Sequence, residues 1–360
     1  MPRIARRIIK FFVFLIGFAL VLAALAAGTV IFFNAAPGNN GAGGPYFEPG
    51  DSISRADDGS VYLEVRRGES AQSVGIRLAN AGLIRSRYFW RLLSSYNKDF
   101  IKAGTYQLKI PATQMEIYRV LVSGKQMLQR VTIPEGVTLK KMARIFADAG
   151  ICGEGDFLEA AADTDLLELF NIPGKTLEGY LYPDTYLFPP DYPARSVAVT
   201  LANTFFSRLE EIDPKASGLS REELNRIVII ASIVEREYRV GEEAPLMAGV
   251  FYNRLRIGMA LQSCATVEYI ITEIQGRPHP EVLYTRDTEI RDPYNTYVRP
   301  GLPPGPISAP GKTALDAALH PAASDYLYFR LVERAAGRHY FSRTLDDHIR
   351  AGALYVKGRS

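Results

Sequence analysis

The amino-acid sequence predicts an α+β protein that begins with a membrane-spanning helix. Residues 11–33 form an uncharged apolar stretch long enough to cross a bilayer. Residues 61–133 alternate short strand-like and amphipathic helical segments, and longer helical patterns dominate from residue 134 onward. These patterns divide the chain into a tail (1–10), a transmembrane helix (11–33), a flexible tether (34–60), a small α+β module (61–133) and a mixed α+β domain (134–360).

Composition narrows the class of protein. The chain has 360 residues, of which 47% are hydrophobic and 22% charged, which is typical of a globular protein. The formal net charge is +3, and the tail supplies four basic residues, so the rest of the chain carries about −1. This balance argues against nucleic-acid binding, which needs a basic excess. Cys152 and Cys264 are too few for a disulfide framework, and the sequence leaves their pairing open.

The apolar stretch predicts a single-pass anchor. Basic residues precede it, so the positive-inside rule places the N-terminus in the cytoplasm and everything after Asn34 outside the plasma (inner) membrane. A cleaved signal peptide is the alternative, because Ala24-Leu25-Ala26 resembles a cleavage site. We favour a retained anchor, since the apolar residues continue past that site. The Gly- and Asn-rich residues 35–44 then form a tether.

The module 61–133 reads as strands and helices punctuated by Gly and Pro. Alternation predicts strands at 61–65, 106–110 and 127–133, and 3.6-residue periodicity predicts helices at 71–81, 88–96 and 114–123. The order of strand, Gly68-Glu69-Ser70, helix and Gly82-Leu83-Ile84 resembles a LysM-type sugar-binding module. A generic α+β spacer is the alternative.

Helical patterns organise the domain 134–360. They predict helices near 139–149, 157–162, 195–212, 221–238, 242–256 and 313–318. A strand hairpin is predicted at 326–332 and 339–341, followed by a closing helix at 344–355. The Pro- and Gly-rich loop around 294–307 has no periodicity, and long loops of this kind are often functional.

Glu235 is the candidate catalytic acid. Ser220 and Glu223 form a capping-box pattern that begins a helix, and the apolar run 227–234 buries most of its surface. Glu235 follows this run, partly desolvated, where a carboxyl group tends to keep its proton. A neutral carboxyl is a candidate general acid. The alternative is that Glu235 marks the point where a core helix meets solvent.

The segment 177–186 is a candidate sugar-binding loop. It combines the carboxylates of Glu178 and Asp184 with three tyrosines, and sugar rings offer apolar faces and hydroxyl rims to such groups. A packed Tyr-rich loop is the alternative. The four histidines lack metal-ligand spacing, and no phosphate-binding loop or Gly-x-Ser-x-Gly occurs, so we predict no metal or cofactor. Carboxylate chemistry remains the leading enzymatic option.

These segments together resemble the endolytic murein transglycosylases, the YceG-like family. The matching segments occur in the family's order, at 177–186, 230–237, 250–255, 257–263, 294–297, 301–306 and 320–322. One position departs from the family pattern: Cys264 stands in Ser263-Cys264-Ala265-Thr266-Val267 where the family usually has Asp. Any role of an acid at that position is therefore in doubt for this chain.

The resemblance implies a lyase that cuts the β-1,4 bond between N-acetylmuramic acid and N-acetylglucosamine in nascent peptidoglycan. It implies 1,6-anhydro ends, termination of strand elongation, and contact with the wall-synthesis machinery. Glu235 matches the family's catalytic glutamate. The residues expected to position substrate are Gln262, Asn295, Tyr182, Asp184, Glu178 and Thr266. Two alternatives stay open: a hydrolase that pairs Glu235 with Asp184 or Glu268, and a non-catalytic scaffold that binds peptidoglycan.

Overall fold

The computed structural model describes residues 3–37, 53–55, 59–96, 99–124, 128–333 and 335–357. The chain forms two compact units, Met1–Leu128 and Gln129–Ser360. Helix α1 (Arg3–Asn34) opens the first unit, and its part Lys10–Asn34 is long and apolar enough to cross a membrane. This confirms the predicted N-terminal apolar helix.

The first unit is a three-stranded sheet covered by helices. Its antiparallel strands are β1 (Ile53–Arg55), β2 (Val61–Val65) and β3 (Gly104–Leu108), with β2 in the centre. Its further helices are α2 (Ala71–Asn80), α3 (Arg87–Tyr96) and α4 (Gln114–Ser123). Trp90 is buried in the core that these elements share. Strand β1 lies in the segment predicted as a tether, because three residues are too few to show periodicity.

The second unit is mainly helical. Strand β4 (Gln129–Thr132) pairs antiparallel with β5 (Thr185–Phe188), and β6 (Tyr328–Glu333) forms a hairpin with β7 (Arg338–Ser342). The helices are α5 (Leu139–Asp148), α6 (Glu154–Ala161), α7 (Thr164–Leu169), α8 (Ala194–Ile212), α9 (Arg221–Glu237), α10 (Ala244–Arg256), α11 (Cys264–Tyr269), α12 (Lys312–Leu319) and α13 (Leu345–Lys357). A π-helical turn, Ile270–Ile274, follows α11.

Helix α9 is the centre of the second unit. It packs against α10, α11 and α12, and every residue from Val228 to Val234 is buried. The predicted capping box is present: the Ser220 hydroxyl accepts the Glu223 amide, and the Glu223 carboxylate accepts the Ser220 amide. The helix ends at Tyr238, where the backbone adopts an extended conformation. The central helix thus matches its prediction, and it carries Glu235 in its last turn.

The β4–β5 pair explains where the two units divide. The predicted strand at 127–133 was assigned to the small module, whereas β4 belongs to the second unit because its partner β5 lies there. The sequence pattern placed β5 in a Tyr-rich loop. The strand has four residues and pairs with a segment far away in the chain, so no local signal marks it. The α+β class is nevertheless confirmed.

Candidate active site

Glu235 is half-buried in the last turn of α9, with its carboxyl held by the start of another helix. The Gly311 amide, just before α12, donates a hydrogen bond of 2.9 Å to Oε2. The Tyr238 hydroxyl lies 3.5 Å from Oε1. A β-carbon built on Gly136 would lie 3.6 Å from Cγ of Glu235, an ordinary van der Waals distance, so the Gly136 backbone packs beside this side chain. The carboxyl is thus enclosed and not free in water.

The surroundings raise the pKa of Glu235 to about 7. Burial is the largest cause, because it disfavours the charged form, and the negative charge of Glu135 adds to it. The Gly311 amide, the Tyr238 hydroxyl and the Arg236 charge act in the opposite direction. Protonated and ionised forms of Glu235 are therefore both populated near neutral pH, as a group that gives and then recovers a proton requires.

Ser232 fixes the loop that carries Gly311. Its side chain is fully buried, its Oγ accepts the Ile307 amide at 3.0 Å, and its carbonyl accepts the Ser308 hydroxyl at 2.9 Å. Ser232 lies one turn before Glu235 in α9, so the same helix anchors the loop whose Gly311 amide binds Glu235. A serine inside an apolar helical run was the available sequence signal, because a buried hydroxyl needs hydrogen-bond partners.

An open cleft of about 220 Å³ lies beside this loop. Its lining residues are Tyr182, Pro183, Asp184, Arg208, Glu211, Ile212 and Lys312. Lys312 directly follows Gly311, whose amide binds the Glu235 carboxyl, so the cleft is linked to Glu235 through Gly311, although Glu235 does not line it. Asp184 lies 3.4 Å from the Arg208 guanidinium. The volume is below the roughly 300–1,000 Å³ of small-molecule pockets, which suits one part of a longer polymer.

A second cavity, of about 410 Å³, adjoins the end of α9. It is lined by Arg236, Glu237, Tyr238, Arg239, Phe329, Arg330, Leu331 and His339. Tyr238 links this cavity to the Glu235 carboxyl. Each cavity is thus lined by one residue close to Glu235: Lys312, which follows Gly311, and Tyr238, whose hydroxyl lies 3.5 Å from the carboxyl.

The predicted substrate residues around α11 divide into one exposed and two buried side chains. Gln262 is exposed and has a left-handed φ of 52°. Its backbone N–H donates a hydrogen bond of 3.0 Å to the Thr296 carbonyl. Thr266 and Asn295 are fully buried. The Thr266 hydroxyl lies 2.9 Å from that of Thr296, and the Asn295 amide group donates to the carbonyls of Thr288 and Ile290. Both side chains are therefore closed off from solvent, and their hydrogen bonds stabilise the segment 288–296.

Glu178 lies inside the protein at the start of α5. Glu178 is only 8% exposed. The backbone N–H of Leu139 donates to both of its carboxyl oxygens, at 3.0 and 3.1 Å. Burial raises its pKa to about 8, against the lowering effect of the Leu139 amide. The structure therefore gives Glu178 the contacts of a helix-capping residue, whereas Tyr182 and Asp184 from the same segment line the cleft.

Two glutamates that the sequence analysis did not select lie near Glu235. Glu237 accepts a 2.5 Å hydrogen bond from the Ser263 hydroxyl, and burial raises its pKa. This bond ties the end of α9 to the residue after Gln262. Glu135 is exposed and acts electrostatically on both Glu235 and Tyr182. Its signal was an acid in the Pro134-Glu135-Gly136 turn, between a strand and a helix cap, where functional residues are common.

The remaining candidate groups have other partners. Glu268 pairs with Arg236 at 2.9 Å. Cys152 and Cys264 are both free thiols, which answers the open question of their pairing. Cys264 is exposed at the first position of α11, 3.1 Å from the Tyr297 hydroxyl. Among the described residues, no cluster of three His, Cys, Asp or Glu side chains is arranged to hold a metal ion.

Comparison with known proteins identifies the family. The sequence profile of the YceG-like family matches residues 63–353. The chain belongs to the YceG-like family. The match spans about half of the first unit and nearly all of the second. It includes Glu235, the cleft and the Gln262 loop, so the site described above lies entirely within the family's region.

Relatives in the YceG-like family include two curated bacterial proteins, each named endolytic murein transglycosylase. The one from Streptococcus pneumoniae serotype 2 (strain D39) is 29% identical over 350 residues, which is 86% of this chain and 61% of that protein. This chain thus spans about three-fifths of the pneumococcal relative. The one from Bacillus subtilis (strain 168) is 28% identical over 327 residues, which is 86% of this chain and 89% of that protein.

A solved structure of this family has the same fold. The crystal structure of a YceG-like protein from Listeria monocytogenes aligns with a TM-score of 0.55 at 29% identity. The alignment covers 81% of this chain and 98% of the Listeria chain. The arrangement of helices and strands is therefore shared with this relative.

Proposed function

We propose that this protein is an endolytic murein transglycosylase, a lyase that cuts the N-acetylmuramic acid–β-1,4–N-acetylglucosamine bond within nascent strands. The cut leaves a 1,6-anhydro-muramic end and terminates elongation. The observation that carries the proposal is the half-buried carboxyl of Glu235, with a pKa of about 7, held by the Gly311 amide next to the cleft residue Lys312. The names of the pneumococcal and Bacillus relatives support the same activity.

The first step needs Glu235 in its protonated form. Glu235 donates its proton to the glycosidic oxygen, the bond from that oxygen to the muramyl anomeric carbon breaks, and the N-acetylglucosamine part leaves as an alcohol. Positive charge develops on the muramyl ring, as in other glycoside cleavages. The raised pKa of Glu235 favours this step, because a substantial fraction of the carboxyl is neutral near pH 7.

The second step returns the proton. The Glu235 carboxylate accepts the proton of the muramyl C6 hydroxyl, and O6 forms a bond to the anomeric carbon. The ring closes as a 1,6-anhydro sugar, and Glu235 is again protonated. No water is consumed. The Gly311 amide and the Tyr238 hydroxyl are the groups that stabilise the carboxylate between the two steps.

The other predicted site residues support this reaction in different ways. We assign direct substrate contact to Gln262, which is exposed, and to Asp184, which lines the cleft. Tyr182 lines the same cleft but is only 7% exposed, so we assign it to the wall of the cleft. We assign loop support to Thr266 and Asn295, whose side chains are fully buried and hydrogen-bonded inside the protein. Glu178 then belongs to this supporting group as well, since it caps α5.

The hydrolase alternative is weaker for Glu268, because its carboxylate is paired at 2.9 Å with Arg236. For Asp184, whose pair with Arg208 is exposed, the products decide. The products separate all three possibilities. Purified strands digested with the full-length protein in ¹⁸O-labelled water should yield unlabelled anhydro ends. Labelled reducing ends would indicate a hydrolase, and binding without release would indicate a scaffold; either result would refute the proposal.

The N-terminal features support a location at the membrane. We propose that α1 crosses the plasma (inner) membrane once, with the basic N-terminus in the cytoplasm and the second unit outside. Nascent strands are made at that surface, so the wall-synthesis machinery is the expected partner. We also propose that the predicted module 61–133, without β4, is a LysM-like glycan-binding module of the first unit. The three-stranded sheet of that unit, packed with short helices, supports an interaction domain of this kind.

A further inference from the structure

The absence of a side chain at Gly311 leaves space for a neighbouring side chain, although the backbone conformation does not require glycine. Its φ of −84° and ψ of −176° are accessible to any L-residue. A β-carbon built there, however, would lie 1.9 Å from Oε1 and 2.2 Å from Cδ of Glu135. The space that a side chain at position 311 would take is therefore filled by the Glu135 carboxyl.

The same glycine holds the catalytic carboxyl. The Gly311 amide donates to Glu235, so two carboxyl groups adjoin one residue at the N-terminus of α12. Amides at this end of a helix have no partner within the helix, and the helix dipole favours negative charge there. The position therefore tolerates two acids side by side better than an ordinary surface would.

The backbone around Glu135 is tied to the loop that carries Gly311. The Gly136 amide donates to the Ala309 carbonyl at 2.8 Å, and the Ala309 amide donates to the Val137 carbonyl at 2.8 Å. Gly136 has a left-handed φ of 72° and lies against Glu235. These contacts hold the Glu135 backbone beside the catalytic residue, although the side chain itself is exposed.

The charges that face Glu235 come from several elements. Arg236 lowers the pKa of Glu235, but its guanidinium is paired with Glu268. At the C-terminal end of the same helix, burial raises the pKa of Tyr238 to about 12, so its hydroxyl stays neutral. The charged groups Lys312, Arg208, Asp184 and Glu211 line the cleft. Among the described groups, Glu135 is the acid whose negative charge acts on Glu235 and also on Tyr182 in the cleft.

We propose that Glu135 is a second functional carboxylate of this site, seated in the space left by Gly311 beside the Glu235 carboxyl. It is a positioning residue, because it acts through Glu235 and need not touch the glycan. A negative neighbour opposes ionisation of an acid and stabilises a developing cation. This inference rests on the proposed transglycosylase reaction.

The test compares pH profiles of kcat/KM for the full-length wild type, Glu135→Gln and Gly311→Ala. Activity requires protonated Glu235, so kcat/KM falls above its pKa. Removing the Glu135 charge should move this fall to lower pH by about half a unit or more. Gly311→Ala should move it in the same direction, because the added methyl displaces the flexible Glu135 carboxyl while the residue 311 amide remains. The double variant should shift no further than Glu135→Gln.

The matched control is Glu159→Gln, which removes the same charge from an exposed position of α6 and should leave the profile unchanged. A Glu135→Gln profile with its alkaline limb at the wild-type pH would overturn the inference, even if the rate fell. A pH profile of Gly311→Ala identical to that of the wild type would show that the position of Glu135 beside Gly311 does not matter for the reaction. Carbon-13 titration of the Glu235 carboxyl, assigned by its loss in Glu235→Gln, measures the same shift without turnover. It therefore decides the role of Glu135 even if the wild type released no anhydro product.

Discussion

Glu235 owes its proton affinity to its location more than to any one partner. Burial at the end of α9 is the main reason that its pKa lies near 7, because a half-dry site disfavours the carboxylate. The sequence pattern of a long apolar run followed by an acid predicted this desolvation. It gave no indication of the Gly311 amide or the Glu135 charge, since both come from segments distant in the chain.

The raised pKa predicts a pH dependence of the reaction. Glu235 must be protonated in the free enzyme, so kcat/KM should be constant on the acid side and fall about tenfold per pH unit above pH 7. Steady-state rates of anhydro-end formation between pH 5 and 9 would measure this. A rate that stays constant up to pH 9 would show that no group with the predicted pKa donates the proton.

Replacing Gln262 by glycine should change stability and activity in opposite directions. Its φ of 52° is unfavourable for a residue with a side chain, so Gln262→Gly should raise the stability by up to about 1 kcal/mol while lowering kcat/KM. Thermal unfolding and digestion assays would measure both effects.

Asn171 and Asp191 have nearly the same backbone conformation, with φ of 54° and 52°, and serve as controls. Their glycine variants should keep full activity. If Gln262→Gly were fully active, the side chain would have no role in substrate contact and the strained conformation would need another explanation.

At the scale of elements, helices were predictable where local signals are strong. The capping box at Ser220 and the apolar periodicity gave α9 to within a residue. Strands β1 and β5 were missed because each has three or four residues, and β5 pairs with a strand more than fifty residues away. The contacts of Glu178 were also unpredictable, because its role depends on where α5 begins in space.

Glu178 should make the stability of the second unit depend on pH. Its pKa is raised from 4.5 to about 8, so the folded state binds a proton more tightly than the unfolded chain. Its contribution to stability is therefore complete below about pH 4.5 and is lost as pH rises toward 8. Glu178→Gln stays neutral, so its Tm relative to wild type should increase from pH 5 to pH 8.

Thermal unfolding at several pH values would measure this difference, with the exposed Glu159→Gln as the control. A difference in Tm between Glu178→Gln and wild type that is the same at pH 5 and pH 8 would mean that Glu178 is not held neutral by the fold.

At the scale of the whole molecule, the proposed topology places the second unit outside the cytoplasmic membrane. The free thiols provide a direct test. Cys264 is exposed and Cys152 is half-buried. Burial raises the pKa of both thiols, that of Cys152 to about 12, so Cys264 should react faster with maleimides. A membrane-impermeant polyethylene-glycol maleimide should therefore label Cys264 in intact spheroplasts that express the protein.

The control for this labelling is Cys264→Ser, which should remove the fast reaction. Labelling that begins only after the spheroplasts are lysed would place the second unit in the cytoplasm. In that case the protein would have no access to nascent strands, and the proposed substrate would be excluded.

The most direct test of the catalytic account is the release of anhydro-muramyl products by full-length Glu235→Gln. The amide preserves the shape of the side chain but removes the proton that the reaction transfers. Release should fall at least about 100-fold, with Tm near that of wild type and with Glu159→Gln fully active. Release by Glu235→Gln at a rate near that of wild type would contradict the account.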